Sequence, residues 1–318
     1  MRITNSMLVR NMMGNLNKNL RRMEKLQTQY QSGKLFQVPS DNPIGVSKSL
    51  KLYTDQSKIE QYKNNLRDAV AWMYTTEDAL THLGEVLNRT RYLAEDAANG
   101  TKNKEDLEMI KKEITELKNQ VVQVANTTHA GRSIFTGFKT DRPLLDENGK
   151  YYLKNDPSEP NQTLKNNEIS SYNVGVSENI DVNVVGMRVF GVGTTPDYGA
   201  ASASTGDDSY LVKMFEEIEQ YLEDEDFTAL SNSLGTIDAS ISNTLEVKAE
   251  IGAKTNRLEM TQKRLDSDAV NFKRLLSENE DADLAEVIMN FKMAESVYLA
   301  SMSAGARIIQ PSLVDFLR

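Results

Sequence analysis

Only two imidazoles, His82 and His129, and no thiols are present in this chain. The absence of cysteine excludes disulfides, thiolate nucleophiles, zinc fingers and iron–sulfur ligation. His82 sits beside Leu83 in a long apolar-periodic stretch with Glu85 three residues on, a helix-surface or seam position rather than a ligand. His129 precedes Ala130-Gly131 where a helical pattern ends, and an imidazolium there would complement the C-terminal dipole. The acidic run Glu223-Asp224-Glu225-Asp226 and the set Glu278, Glu280, Asp281 and Asp283 invite a calcium reading. Neither has the ligand spacing and glycine of a loop site, so both read as solvated faces or helix caps. Gly191-Val192-Gly193 lacks the helix and acidic partner of a dinucleotide fold. Carboxylate pairs carry no acid–base meaning without a pocket. The expectation is no catalytic residue, no cofactor, no metal and no enzyme activity.

The elements that would position such residues are amphipathic helices. Of 318 residues, 39% are hydrophobic and 26% charged, with net charge −9 and mean hydropathy −0.51. That composition puts apolar surface into narrow seams rather than one thick core, and no run approaches the ~20 apolar residues of a membrane span. Near the start, Val9, Met12, Leu16, Asn19, Met23, Leu26 and Tyr30 keep alternating steps of three and four. A longer seam runs through Leu52, Ile59, Tyr62, Leu66, Ala69, Met73, Leu80, Leu83, Leu87, Ala94 and Ala97, with Asp55, Thr76 and Thr90 as exceptions. Asn99-Gly100 stops it, since glycine takes the left-handed cap cheaply. Leu107, Ile110, Ile114, Leu117, Val121 and Val124 form a third run. Leu230, Leu234, Ile237, Ile241, Ile251, Leu258, Leu265, Phe272 and Leu276 form a fourth, broken by Thr244, Lys248, Thr255 and Gln262. Asp281 or Asp283 caps a last helix carrying Leu284, Val287, Ile288, Phe291, Tyr298 and Met302, ended near Pro311 before Leu313, Phe316 and Leu317.

A helix over about 46–98 would be roughly 75 Å long, against a diameter near ~50 Å for a compact globule of this size. The expected fold is therefore a mainly α, elongated antiparallel coiled-coil rod. Residues 140–206 differ in kind. Asn148-Gly149 between Leu144-Leu145 and Tyr151-Tyr152-Leu153 signals a hairpin. Alternation follows at Tyr172, Val174, Val176, Val182 and Val184, then Val185 and Met187 to Val192. Pro157, Pro160 and Pro196 punctuate this stretch, and Ala200 to Gly206 reads as a small-residue linker. This gives three expected parts: 1–45 with 280–318 as a terminal coiled coil, 46–139 with 207–279 as the helical rod, and 140–206 as a small β-rich insertion at its tip.

The ends are oppositely charged. Residues 1–40 hold Arg2, Arg10, Lys18, Arg21, Arg22, Lys25 and Lys34 against Glu24, whereas 279–318 hold six acidic residues against Lys292, Arg307 and Arg318. A basic end without interleaved aromatics or a binding motif, in an acidic chain, does not indicate nucleic acid, and no h-region or cleavage site marks a signal peptide. Two lone amphipathic helices bury too little apolar surface to be stable alone, so both ends are expected to order against each other and against neighbours. The assembly seam would be Val9, Met12, Leu16, Met23, Leu26, Leu284, Ile288, Phe291, Tyr298, Met302, Leu313, Phe316 and Leu317. Pro39, Ser40, Asp41, Asn42 and Pro43 would be a turn connector, with Asp41 or Asn42 capping and Gly33 and Gly45 as flexible flanks. From periodicity alone, a closed helix pair or a soluble coiled-coil binding module stands equally open.

Three stretches carry a resemblance. Met1-Arg2-Ile3-Thr4-Asn5, then Leu26 to Lys34 with Val38-Pro39-Ser40-Asp41-Asn42-Pro43, and Gly131-Arg132-Ser133-Ile134-Phe135-Thr136-Gly137 resemble the flagellin superfamily, and within it the hook–filament junction family, the hook-associated protein 3 type. The Ala300 to Arg318 stretch is similar to that family's closing helix. The resemblance covers about 250 residues (both ends and the heptads), and the insertion matches only in character. It implies a structural, self-assembling subunit of the bacterial flagellum that forms a ring or short helical layer. Hook-associated protein 1 would lie on the hook side and flagellin on the filament side, with a cytosolic export chaperone holding the C-terminal segment beforehand. It also implies an extracellular location reached by the flagellar type III route without a cleaved signal peptide, with no membrane insertion. A flagellin-type filament subunit is the nearest alternative.

Overall fold

A computed structural model describes residues 5–100, 102–152 and 163–309. The chain is mainly helical, with short antiparallel strands confined to one stretch, and divides into two compact units. One comprises residues 1–59 and 267–318, the other 60–266. Leu313, Phe316, Leu317, Pro157, Pro160 and Pro311 lie outside the described residues.

The first unit holds α1 (Asn5–Ser32), the opening turns of α2 (Pro43–Ala98), the closing turns of α6 (Phe227–Glu280) and α7 (Leu284–Ile309). Pro43 opens α2 because its missing N–H is spare in a first turn, and the Asn42 side chain caps the Gly45 N–H at 3.0 Å. Gly45 is not a flexible flank. It is buried in that first turn, and a Cβ there would lie 2.7 Å from the Phe36 ring and 2.6 Å from the Asn42 amide.

The second unit is built on α2 and α6 running antiparallel, tied at Tyr74–Glu259 (3.0 Å), Arg91–Asp238 (2.7 Å) and Lys63–Asp266 (2.7 Å). Leu66, Ala69, Met73, Leu80, Leu83, Leu87, Ala94 and Ala97 of α2 are buried, as the heptad predicts. Thr76 and Thr90, apparent faults in that heptad, are also fully buried, because their hydroxyls donate to the Trp72 and Val86 carbonyls one turn back. On α6 the buried line runs through Leu230, Ser233, Ile237, Ser240, Thr244, Val247 and Ile251, so Leu234 and Ile241 sit at its margin. α3 (Lys104–Ala125) buries Leu107, Ile110, Ile114, Leu117 and Val121 as expected, but closes on Ala125 rather than Val124. The sequence reading missed α5 (Tyr210–Glu223), which packs against α3 and buries Leu211, Phe215, Ile218 and Leu222 at steps of four, three and four.

After α3 come β1 (Thr128–His129) and β2 (Arg132–Ser133), a two-residue ladder, then β3 (Thr163–Lys165), β4 (Ser171–Gly175), β5 (Glu178–Asp181), α4 (Met187–Phe190) and β6 (Ser202–Ser204). The Asn148-Gly149 hairpin is present as the single bridge Leu145–Tyr151. Gly149 has φ +73°, and a Cβ would fall on the Val212 side chain, so only glycine fits. Two expectations are corrected. Met187–Phe190 is one helical turn between Gly186 and Gly191, not strand, and buries Met187, Val189 and Phe190 together. Ala200 to Gly206 is no linker: β6 pairs with β3, with Ala203 opposite Leu164, both fully buried. Val176, expected within the alternating strand pattern, is in the β4–β5 turn and exposed. That hairpin is fastened to α6 by Glu178, which accepts from Arg264 (2.5 Å) and Arg257 (3.2 Å). The Arg264 hydrogen bond chiefly holds the Glu178 carboxyl below its usual range.

Candidate assembly site

Glycine at 33 (φ +69°) ends α1 in the left-handed conformation that lets the chain reverse. The next residues then pair with the turn between α6 and α7. The Leu35 N–H donates to the Glu280 carbonyl (2.6 Å), the Ala282 N–H donates to the Gly33 carbonyl (2.8 Å), and Lys34 and Asp281 form an antiparallel bridge. Lys34 Nζ reaches Glu280 Oε2 at 2.6 Å, and the Tyr53 hydroxyl donates to the same oxygen at 2.8 Å. Asn279 donates to the Gly45 carbonyl (3.0 Å) and Ser49 Oγ (2.7 Å). This clasp holds the roots of α1 and α7 against the end of α6 and the start of α2.

Glu280 is buried, its side chain only 7% exposed. Burial pushes its carboxyl up, but hydrogen bonds from Lys34, Ser49 and Tyr53 outweigh this and hold it below the ordinary carboxylate value. The hydrogen bonds that Lys34 Nζ donates, to Glu280 first and then to the Tyr53 hydroxyl (3.0 Å), push its ammonium well up from 10.5. A lowered folded carboxylate contributes stability that is complete above its unfolded value and lost as pH falls through the folded one; a raised lysine contributes until pH climbs past 10.5. The clasp is thus unchanged between the ordinary carboxylate value of 4.5 and the ordinary lysine value of 10.5, and loosens as the pH falls below the first of these through the lowered Glu280 value. The expected result is that amide protection at residues 33–36 and 280–283 falls on acidification below that point. In Glu280→Gln the same protection is weak at neutral pH and does not fall further on acidification.

From the clasp, α1 and α7 run antiparallel along one another, Met12 meeting Gly305 near the far end. On α1 the half-buried positions are Val9, Met12, Leu16, Asn19, Met23 and Leu26, the expected seam. It continues at Gln29, not Tyr30, which is 52% exposed; Gln29 instead reaches back to the Leu35 carbonyl at 2.7 Å. On α7 the contact line is Val287, Phe291, Ala294, Tyr298, Ser301 and Gly305. Phe291 and Tyr298 are on it as expected. Leu284, Ile288 and Met302 face away, at 46%, 43% and 47% exposed. The small residues Ala294 and Gly305 take those places because they let the two backbones approach. A second exposed line on α7 carries Met289, Met293 and Val297. α7 is therefore apolar around most of its circumference, a pattern proper to a helix covered on several sides.

The connector Pro39–Pro43 is an exposed turn, with the Asp41 N–H donating to the Val38 carbonyl (3.0 Å) and the Asp41 carboxylate 3.5 Å from Lys25. Asp41 closes onto α1 and Asn42 caps α2, so the two side chains considered for capping divide the work.

The titratable groups considered for catalysis are scattered. His82 lies on the α2 surface between Asp78 (3.8 Å) and Glu85 (3.4 Å). His129 lies past the end of α3 rather than on it. Its Nδ1 is 2.8 Å from the Thr75 hydroxyl and its ring stands edge-on to Trp72, so packing and not a helix dipole explains its place. Glu223 pairs with Lys111 and Glu225 with Lys104, while Asp226 caps the first turn of α6. Asp283 does the same for α7. A hollow of about 470 Å³ beside His82 includes Arg89, already bound to Glu113 at 2.6 Å. Among the described residues, no three His, Cys, Asp or Glu side chains gather around a possible metal, and no helix is long and apolar enough to cross a membrane.

The model of the bacterial flagellin N-terminal helical region matches residues 3–140, and that of the C-terminal helical region matches 234–317. The chain is 26% identical to flagellar hook-associated protein 3 of Escherichia coli (strain K12) over 312 residues, covering 95% of this chain and 94% of the relative. It is 27% identical to flagellin of Bacillus subtilis (strain 168), covering 98% and 97%. Its fold is like that of a flagellar hook-associated protein from Vibrio parahaemolyticus (TM-score 0.63, 20% identity, 76% of this chain and 100% of that one). The flagellar junction protein FlgL from Legionella pneumophila gives TM-score 0.55 at 18% identity, over 74% and 100%.

Proposed function

The chain belongs to the bacterial flagellin family, and on that premise we propose that it is the structural subunit joining hook to filament, built into the flagellum through α1 and α7. The observation that carries this reading is the α1–α7 pair. One seam joins the two helices, while Leu284, Ile288, Met302, Met289, Met293 and Val297 of α7 remain uncovered. Two helices cannot hide that much apolar surface between them, and sister copies can. The connector Val38-Pro39-Ser40-Asp41-Asn42-Pro43 supports a junction subunit over a filament subunit, whose corresponding segment is richer in small residues and aspartates.

On this reading the chain works by packing, without turnover or a cofactor. Copies of itself form a ring or short helical layer, with hook-associated protein 1 on the hook side and flagellin on the other. Before assembly an export chaperone covers the apolar C-terminal segment, and the chain leaves by the flagellar type III route without losing a signal peptide. Exposed methionines suit such a surface, since their flexible thioether side chains repack against different partners. The three-part division stands beside this as a proposal: terminal helices for assembly, the central helices as rod, and 140–206 as an outward domain.

Deleting the gene is the test. A junction subunit predicts cells with hooks but no attached filaments, and flagellin lost to the medium. The similarity to Bacillus subtilis flagellin favours a filament subunit instead, for which neither cells nor medium would hold filament protein.

A further inference from the structure

The seam of α1 faces α7, and the opposite side of the helix is basic. Arg10, Lys18, Arg21, Arg22 and Lys25 are all exposed and fall within an arc of about 120°, over about 22 Å of helix. Arg10, Lys18, Arg21 and Arg22 form no ion pair with any described residue, and Lys25 meets only Asp41, at 3.5 Å. Near its C-terminal end the stripe opens on a groove of about 250 Å³. Arg21 and Lys25 line it together with Glu24 and Asp41, and it has two exposed apolar side chains, Leu35 and Val38, on its rim.

The same unit carries a complementary surface. At the α6–α7 turn, Glu278, Asp281, Asp283 and Glu286 are exposed. Among the described residues, Arg274 lies 4.0 Å from Glu278, and Lys34, bridged to Asp281 through the backbone, directs its ammonium to Glu280 instead. Leu284, 46% exposed, opens α7 immediately after that turn. The turn lies at the root of the helix pair, about 20 Å along α1 from the centre of the stripe. Two complementary patches offset along one unit make a head-to-tail contact that each copy can donate and receive.

We propose that the basic stripe of α1 is a docking surface for a second copy of this chain. The copy's acidic α6–α7 turn lies along Arg21, Arg22 and Lys25, and its Leu284 sits between Leu35 and Val38. This rests on the assembly reading above and adds to it an electrostatic register: apolar faces supply the adhesion, and charge selects the axial position at which neighbouring copies meet.

The absence of cysteine makes the test direct. Two singly substituted full-length proteins, Lys25→Cys and Leu284→Cys, are mixed at a concentration where the unsubstituted chain self-associates, and then treated with a short bismaleimide. Each molecule holds one thiol, so a mixed dimer reports only contacts between copies. The expected result is a prominent mixed dimer that falls about tenfold from about 50 mM to about 500 mM salt. It is lost when the first protein also carries Arg21→Glu and Arg22→Glu, and returns when the second then carries Glu278→Lys and Glu286→Lys. Circular dichroism of each variant checks that helicity is kept. A mixed dimer unaffected by charge reversal overturns the proposal while leaving self-assembly standing. So does binding of the stripe to phosphatidylglycerol vesicles with no mixed dimer. If the unsubstituted chain fails to self-associate even when seeded on isolated hook ends, the assembly reading itself fails.

Discussion

Replacing Ala294 with glutamate is expected to abolish assembly while leaving the second unit folded. Ala294 is 8% exposed on the α7 line that faces α1, and the described positions of that seam carry no cation to pair with a carboxylate. Forcing an unpaired carboxylate into an apolar helix contact costs about 3–5 kcal/mol. The α1–α7 pair, with the outer apolar side chains of α7 uncovered, does not have that much stability to lose. The variant should therefore remain monomeric in sedimentation at concentrations where the parent assembles. The thermal transition of residues 60–266 should be unmoved, because α2 and α6 keep their own seam. Glutamate at Met289, equally on α7 but 61% exposed, should leave the α1–α7 contact intact and impair only association between copies.

Phe190→Ala should give the opposite outcome. Phe190 is fully buried, and its ring meets Phe135 edge-to-face at 5.4 Å and 84°. Phe135 comes from the Gly131–Gly137 motif and Phe190 from the helical turn α4, so this pair joins the end of the α3 region to the insertion. Losing the side chain costs about 3–5 kcal/mol in cavity and transfer energy and about 1 kcal/mol for the aromatic pair. The expected result is a fall in melting temperature on the order of 10 °C for the second unit, with the α1–α7 contact unchanged. The pair of variants thus separates assembly from folding.

The sequence made the helices legible because burial on a long helix imposes a period. The seams of α2 and α3 and most of α1 were recoverable position by position, even through Thr76 and Thr90, whose side-chain hydrogen bonds hide their polarity from neighbours. Of the α7 assembly positions expected from periodicity, Phe291 and Tyr298 lie on the line toward α1 and Leu284, Ile288 and Met302 do not, for a physical reason. A helix apolar on three sides offers several stripes of equal quality, and periodicity cannot say which one faces α1. Backbone approach decided it, favouring Ala294 and Gly305 over Leu284, Ile288 and Met302. The insertion was legible in composition but not in element: a four-residue run with three apolar side chains fits a strand or one helical turn, and Gly186 and Gly191 settle for the turn. The clasp was invisible, because Lys34 and Glu280 are 246 residues apart and neither has a periodic signature.

The most direct measurement is amide hydrogen exchange along the whole chain, on the solitary protein and again in the assembled structure. The account predicts that α1 and α7 exchange far faster than α2 and α6 in the solitary chain and become as slow as the rod helices once neighbours cover Leu284, Ile288, Met289 and Met293. If α1 and α7 are as strongly protected alone as in the assembly, the outer faces of α7 need no neighbours and the account is contradicted.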